Sequence, residues 1–301
     1  MRERNTKLLL FCTAFLFLCM LACVVGVASA KTIYVPDNYT KIQWAVDNAS
    51  AGDTIIVKDG VYVENIDINK PNLTIKSENG SANCIVQAAN SNDHVFYVTA
   101  DNVTIKGFTV TGATGFQKAG VYLLNSNNSR IENVNASNNW DGISLWYSSN
   151  NTITYNNASN NYYGIPLDES SNNTITYNNA SNNYCGIPLW DSSNNTIAYN
   201  NASNNYYGIP LDESSNNIIT NNNASNNNCG IPLWDSSNNT IAYNNASNND
   251  YGIYLSYSSN NTITYNNASN NNDEGIYLSY SSNNTITYNN ASNNDDDGIC
   301  L

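Results

Sequence analysis

Trp146, Asp168, Trp190, Asp212 and Trp234 follow one another at intervals of 22 residues, and the next position along reads Tyr147, Glu169, Asp191, Glu213, Asp235. Indole rings alternating with carboxylates suit a sugar. The ring offers a large flat apolar surface, and a carboxylate accepts hydroxyl hydrogen bonds. Trp146, Trp190, Trp234, Asp168 and Asp212 are therefore candidate carbohydrate contacts. The acids suit a second chemistry as well, because calcium takes carboxylate oxygens readily. Like charges on neighbouring coils raise one another's pKa unless a cation lies between them. Glu169, Asp191, Glu213 and Asp235 are accordingly candidate calcium ligands. The plainer alternatives are that the acids splay apart in water and that each tryptophan fills a gap at a turn.

The elements that must position these residues are set by a repeat. Gly120, Gly142, Gly164, Gly186, Gly208, Gly230 and Gly252 are spaced by 22 residues, and Gly275 and Gly298 follow at 23. A fixed period in this range indicates a solenoid. Ile143 and Leu145 sit two apart, the spacing of a strand with one buried face. Ile153 lies between Thr152 and Thr154 in a second short strand, and Ala158 marks a third, shorter inward position. The Ser-Ser-Asn-Asn and Ser-Asn-Asn clusters between them are turn chemistry. Three short strands per period predict a coil of a right-handed, single-stranded parallel β-helix, an all-β fold. Helical repeats are excluded, since no unit has a long enough stretch free of Asn, Gly or Pro.

Coils stacked about 4.7–4.9 Å apart place each residue over its equivalent. Asn151, Asn173, Asn195, Asn217, Asn239 and Asn261 then form an amide ladder, and Ile153 begins an inner isoleucine column. Tryptophans on alternate coils fall about 9–10 Å apart, near the length of a disaccharide.

Four regions precede and include this array. Residues 1–30 read as a secretion signal, with Arg2, Arg4 and Lys7 before an apolar run and Ala28-Ser29-Ala30 at its end. Residues 31–53 hold a strand, Ile33 to Val35, and an amphipathic helix from Tyr39 to Ala49. That helix has Ile42, Ala45, Val46 and Ala49 on one face and Thr40 as a cap, and it is placed to cover the first coil. Residues 54–119 are irregular first coils, and 120–301 the regular Asn-rich repeats. The chain stops at Leu301 inside a strand, so a missing C-terminal region, the place for an anchor or a catalytic module, is expected.

The segment TIYVPDNYTKIQWAVDNASAGDTIIVKDGVYVENIDINKPNLTIKS, followed by GIxLxxSSNNTIxxN units, resembles the right-handed β-helix proteins of the NosD type. It is similar also to the wider group of carbohydrate-binding proteins and sugar hydrolases with that coil, the pectate-lyase-like group. The resemblance covers the chain from Lys31 onward. It implies the fold firmly and an activity weakly, because the scaffold hosts lyases, hydrolases, epimerases and non-catalytic binders. A periplasmic accessory role of the NosD type is one implied alternative. The copper binding implied by that name finds one histidine, His94, four scattered cysteines and no methionine after the signal, where soft metals want such ligands.

The net charge is −13, and Arg130 is the last basic residue. That distribution excludes nucleic acid as a partner and disfavours polyanionic sugars. Cys185 and Cys229 share a column with Tyr207 between them. At two coil spacings, about 9–10 Å, they are too far apart for a disulfide. Neighbouring carboxylates about 5 Å apart match a retaining glycosidase pair, yet these acids are copied along a rod rather than gathered in one place. The reading is an exported, secreted or cell-surface protein that binds polysaccharide or a surface glycan without catalysis. A membrane would be met only through the signal or a C-terminal anchor. The rivals are a glycan-processing hydrolase or lyase using the same face, and a structural spacer of the envelope.

Overall fold

Each Thr-Ile-Thr segment turns its isoleucine inward and its threonines outward, and pairing carries that choice from coil to coil. Ile131 pairs with Ile153, Ile153 with Ile175 and Ile175 with Ile197, all in parallel register. In the computed structural model, which describes residues 29–301, this column belongs to a 12-stranded parallel sheet. The Gly-Ile-x-Leu segments build an 11-stranded sheet beside it. The chain is a parallel β-solenoid of about 12 turns with ~22 residues per turn. Residues 1–28, most of the expected secretion signal, lie outside the described residues. Thr32–Leu301 forms one unit, and no helix among the described residues is long and apolar enough to cross a membrane.

The third side of the coil is reduced. It is a 4-stranded sheet through Gly60–Val63, Cys84–Gln87, Thr109–Thr111 and Asn135–Ala136, and afterwards only single bridges such as Asn157 to Asn179. Asn-Ala-Ser between two turns is too short to pair further. Its alanines, among them Ala158, Ala180 and Ala202, still close the core with no exposed surface, as do the Ile and Leu columns from Ile143 to Ile263. Each buried isoleucine contributes roughly 2 kcal/mol.

Three buried amide ladders hold the turns, beside a fourth, more exposed one in which Asn179 Nδ2 donates to Asn157 Oδ1 and Asn201 Nδ2 to Asn179 Oδ1. In one, the Asn178 backbone N–H and side-chain Nδ2 both donate to Asn200 Oδ1 at 2.9 and 3.0 Å, while Asn200 Nδ2 donates back to the Ile175 carbonyl at 2.8 Å. The Asn151 column behaves alike: Asn151 N–H donates to Asn173 Oδ1 at 2.8 Å, and Asn173 Nδ2 to the Ser148 carbonyl at 2.9 Å. The Asn161 column is the third, with Asn161 N–H on Asn183 Oδ1 at 2.8 Å. Each side chain satisfies turn groups that a dry interior would otherwise leave unpaired. The repeat glycines answer a different need. A Cβ on Gly186 would lie 2.6 Å from the Gly208 carbonyl oxygen, so no side chain fits between the coils there.

Ile42–Asn48 is the helix over the first coil, with Ile42, Ala45 and Val46 buried. It is shorter than the expected span, and the cap differs. Thr40 makes no cap; Lys41 is the N-cap residue and has no side-chain cap bond. The Ile42 and Gln43 amides instead donate to Glu64 Oε1 and Oε2, each at 3.0 Å. A carboxylate one coil away does what a local hydroxyl was expected to do.

Asn200→Ala removes the acceptor of two Asn178 donors and is expected to cost about 1–3 kcal/mol. Thr174→Ala, on the exposed strand face, is expected to change stability by less than about 0.5 kcal/mol. Urea denaturation of the two variants checks the contrast.

Candidate functional site

The outer face of the Gly-Ile-x-Leu sheet carries the tryptophan–acid column in register. Trp146 pairs with Asp168, Asp168 with Trp190, Trp190 with Asp212 and Asp212 with Trp234. All five side chains are half-buried. The acids of the next position, Glu169, Asp191, Glu213 and Asp235, are exposed, at left-handed φ values of 44°, 46°, 47° and 47°. Tyr147, at the head of that row, donates its hydroxyl to Glu169 Oε1 at 2.8 Å.

A second column, just before each repeat glycine, explains why the tryptophans alternate. It reads Asp141, Tyr163, Cys185, Tyr207, Cys229, Tyr251 in consecutive pairing. A coil with a tryptophan has the small Cys185 or Cys229 here, and a coil with Asp168 or Asp212 has Tyr163 or Tyr207. Large and small thus alternate within and between coils. Tyr163 meets Trp190 edge-on at 5.1 Å between ring centroids, and Tyr207 meets Trp234 at 5.5 Å. Each indole is wedged on one side by a tyrosine, so the gap-filling role and an accessible ring coexist.

The first coil of the array departs from this scheme. Trp146 should be accompanied by a cysteine and is accompanied by Asp141, whose residue is only 5% exposed. Tyr122, Ser144, Trp146, Tyr163 and Trp190 close around it with Asp168 at the rim, leaving a cleft with about 60 Å³ of inner space. The Asp141 Oδ1 atom and the Trp146 indole N–H are buried and have no hydrogen-bond partner. A wider cleft of about 230 Å³ lies around Trp234, Tyr207, Tyr251 and Tyr254. None of Tyr122, Asp141, Ser144 or Tyr163 was indicated by the tryptophan–acid spacing. The signal for them was the column preceding each glycine.

Burial sets the electrostatics. It pushes the Asp141 carboxyl up to about 7, against a Ser144 hydrogen bond that lowers it. Asp168 is raised by burial, then by the charges of Glu169 and Asp191; Asp212 is raised by burial, then by Asp235 and Asp191. His94 lies beside this region, stacked at 4.1 Å on Tyr122. Its Nδ1 accepts the Ala119 N–H at 3.0 Å, and burial, then Lys118, lowers it to about 4.

Calcium fits poorly. Among the described residues no three Asp, Glu, His or Cys side chains gather closely enough to hold one ion. Calcium needs six to eight oxygens, and Glu169, Asp191, Glu213 and Asp235 do not bring even three such side chains together among the described residues.

The family model described as "Periplasmic copper-binding protein (NosD)" matches residues 46–228 and 189–301. The chain belongs to the NosD family. An extracytoplasmic location follows from that membership. A "Cell surface glycoprotein" of Methanothermus fervidus is 39% identical over 117 residues, 38% of this NosD-family chain, and the match spans 18% of that protein's length. Among solved structures, the Azotobacter vinelandii mannuronan C-5 epimerase AlgE4 A-module superposes with a TM-score of 0.69 at 17% identity, covering 90% of this chain and 97% of that one. Pectate lyase Pel9A superposes with a TM-score of 0.56 at 17% identity, covering 88% and 80%. At such identities the likeness is one of fold.

The copper of the family description does not fit the residues present. Cys84, Cys185 and Cys229 are buried free thiols. Burial raises all three, Cys84 and Cys185 to about 12, which opposes the thiolate a soft metal requires. His94 Nδ1 is already used by a backbone amide.

Asp141 makes stability depend on pH with a defined sign. Its carboxyl is raised from 3.8 unfolded to about 7 folded. Its contribution is complete below pH 3.8 and is lost as pH rises to about 7. His94, lowered from 6.5 to about 4, acts oppositely: its contribution is present above 6.5 and lost as pH falls to about 4. Asp141→Asn removes only the first effect. The melting temperature of the variant minus that of the wild type is expected to grow from pH 4 to pH 7 and then level off.

Proposed function

We propose that this exported β-helix protein binds a neutral glycan along the face from Trp146 to Trp234, as a surface binding protein without catalysis of its own. The observation that carries the reading is the in-register alternation of half-buried tryptophans and half-buried carboxylates on one outer face. Indoles on alternate coils recur about every 9–10 Å, and Asp168 and Asp212 between them offer hydroxyl acceptors. The acid row beyond disfavours uronate chains by like charge. One line of kinship supports a surface role, a relative named as a cell surface glycoprotein; the fold neighbours named for mannuronan and pectate bear on acidic chains and do not support a neutral one.

A glycan-processing enzyme on the same face is the rival, and it requires one essential carboxylate. A binding face spreads its free energy over several contacts, with the aromatic ones largest. On a glycan array, Trp190→Ala and Trp234→Ala are each expected to weaken binding of neutral oligosaccharides about tenfold, and chelator is expected to leave binding unchanged. Binding that needs added calcium would restore a metal role for the acid row. Turnover of a bound glycan, abolished by a single Asp168 or Asp212 substitution, would replace binding by catalysis.

A further inference from the structure

Asp141 occupies a slot that the repeat otherwise fills with cysteine. Cys185 and Cys229, its equivalents two and four coils on, are 4% and 5% exposed and precede Trp190 and Trp234 by five residues, as Asp141 precedes Trp146. A carboxyl in this slot opposes folding at neutral pH, and among the described residues it pairs with no cation. Fold maintenance therefore does not account for it. Ser144 satisfies part of the group, but Oδ1 is left without a partner, and so is the Trp146 indole N–H. Both residues line one cleft. Buried polar groups without partners are rare, and an unmet donor and an unmet acceptor on residues lining one cleft are what a bound ligand would complete.

Size and chemistry narrow the ligand. About 60 Å³ of inner space exceeds what one water needs and is too little for a sugar ring. It suits one short substituent. A hydroxyl can accept from the indole N–H and donate to a carboxylate at once, and the ring walls of Tyr122 and Tyr163 suit a methylene. A uronate would bring a carboxylate against Asp141 and Asp168. We infer that this cleft is a specificity subsite for the hydroxymethyl group of a neutral hexose, held between the Trp146 indole N–H and the Asp141 carboxyl.

The inference rests on the glycan-binding reading, and the test separates the two. Calorimetric titration of the whole chain uses cellohexaose, mannohexaose, xylohexaose and an oligoglucuronate; the xylose chain lacks the hydroxymethyl group, and the glucuronate replaces it by a carboxylate. At least one hexose chain is expected to bind tenfold or more tightly than xylohexaose, with the glucuronate weakest. Trp146→Phe keeps a ring and loses the N–H. Asp141→Cys installs the repeat's own residue and is expected to raise the melting temperature at pH 8, which reports that it folds. Both are expected to bring hexose binding down to the xylohexaose level. Equal wild-type binding of hexose and xylose chains, or a hexose preference that survives in both variants, would overturn the subsite while leaving the face as a glycan binder. Binding of no chain in the panel would overturn both.

Discussion

Stacking at the strand repeat is the constraint on which everything else depends. Because each residue lies over its equivalent one coil away, any property of a position becomes a property of a column. An isoleucine column becomes a core; an asparagine column becomes a ladder that pairs turn groups no helix or wide sheet could reach. A glycine column becomes the seam along which backbone carbonyls pass without room for a side chain. The fold is then nearly one-dimensional: neighbouring coils supply almost all the stabilisation, and variation is free only on the outer surface.

On that surface the same rule forces an alternation. Rings as large as tryptophan and tyrosine cannot stand on every coil of adjacent columns at strand spacing. The protein resolves this with a two-coil unit, Cys with Trp and then Tyr with Asp. A regular pitch of accessible indoles follows from packing, and a binding face can use it without further invention. Elsewhere equal tyrosines do stack directly, as Tyr155 on Tyr177 and Tyr177 on Tyr199 do at 5.0 Å, because there the rings lie parallel at exposed turns. Where the unit begins, Asp141 replaces the cysteine, and a packing position becomes a polar one at some cost in stability, a trade common at functional sites.

Much of this was legible in the sequence. The glycine period, the Ile153 and Leu145 columns, the Asn151 ladder and the Trp146–Trp234 row all follow from one repeat and the two-residue strand period. Cys185 and Cys229 are indeed free, as their spacing required. What escaped depends on contacts across coils of unlike sequence. The Asn156 and Asn161 ladders were hidden because Asn-Asn pairs look alike, and only turn geometry decides which member points inward. Glu64 caps a helix 22 residues away, beyond any local capping signature such as Thr40 suggested. Asp141 reads as one more surface acid until its burial in the cleft it shares with Tyr163 and Trp146 is seen.

The central claim, that a neutral glycan lies along the tryptophan face, meets its most direct test in the indole N–H resonances. The chain has five tryptophans, and two of them, Trp44 on the N-terminal helix and Trp140 packed between Phe116 and Tyr162, lie outside the proposed row. Titrating a neutral hexose oligosaccharide into nitrogen-15-labelled protein is expected to shift the Trp146, Trp190 and Trp234 signals together and leave those of Trp44 and Trp140 in place. Shifts confined to Trp44 or Trp140, or saturating binding that moves none of the three, would contradict the account.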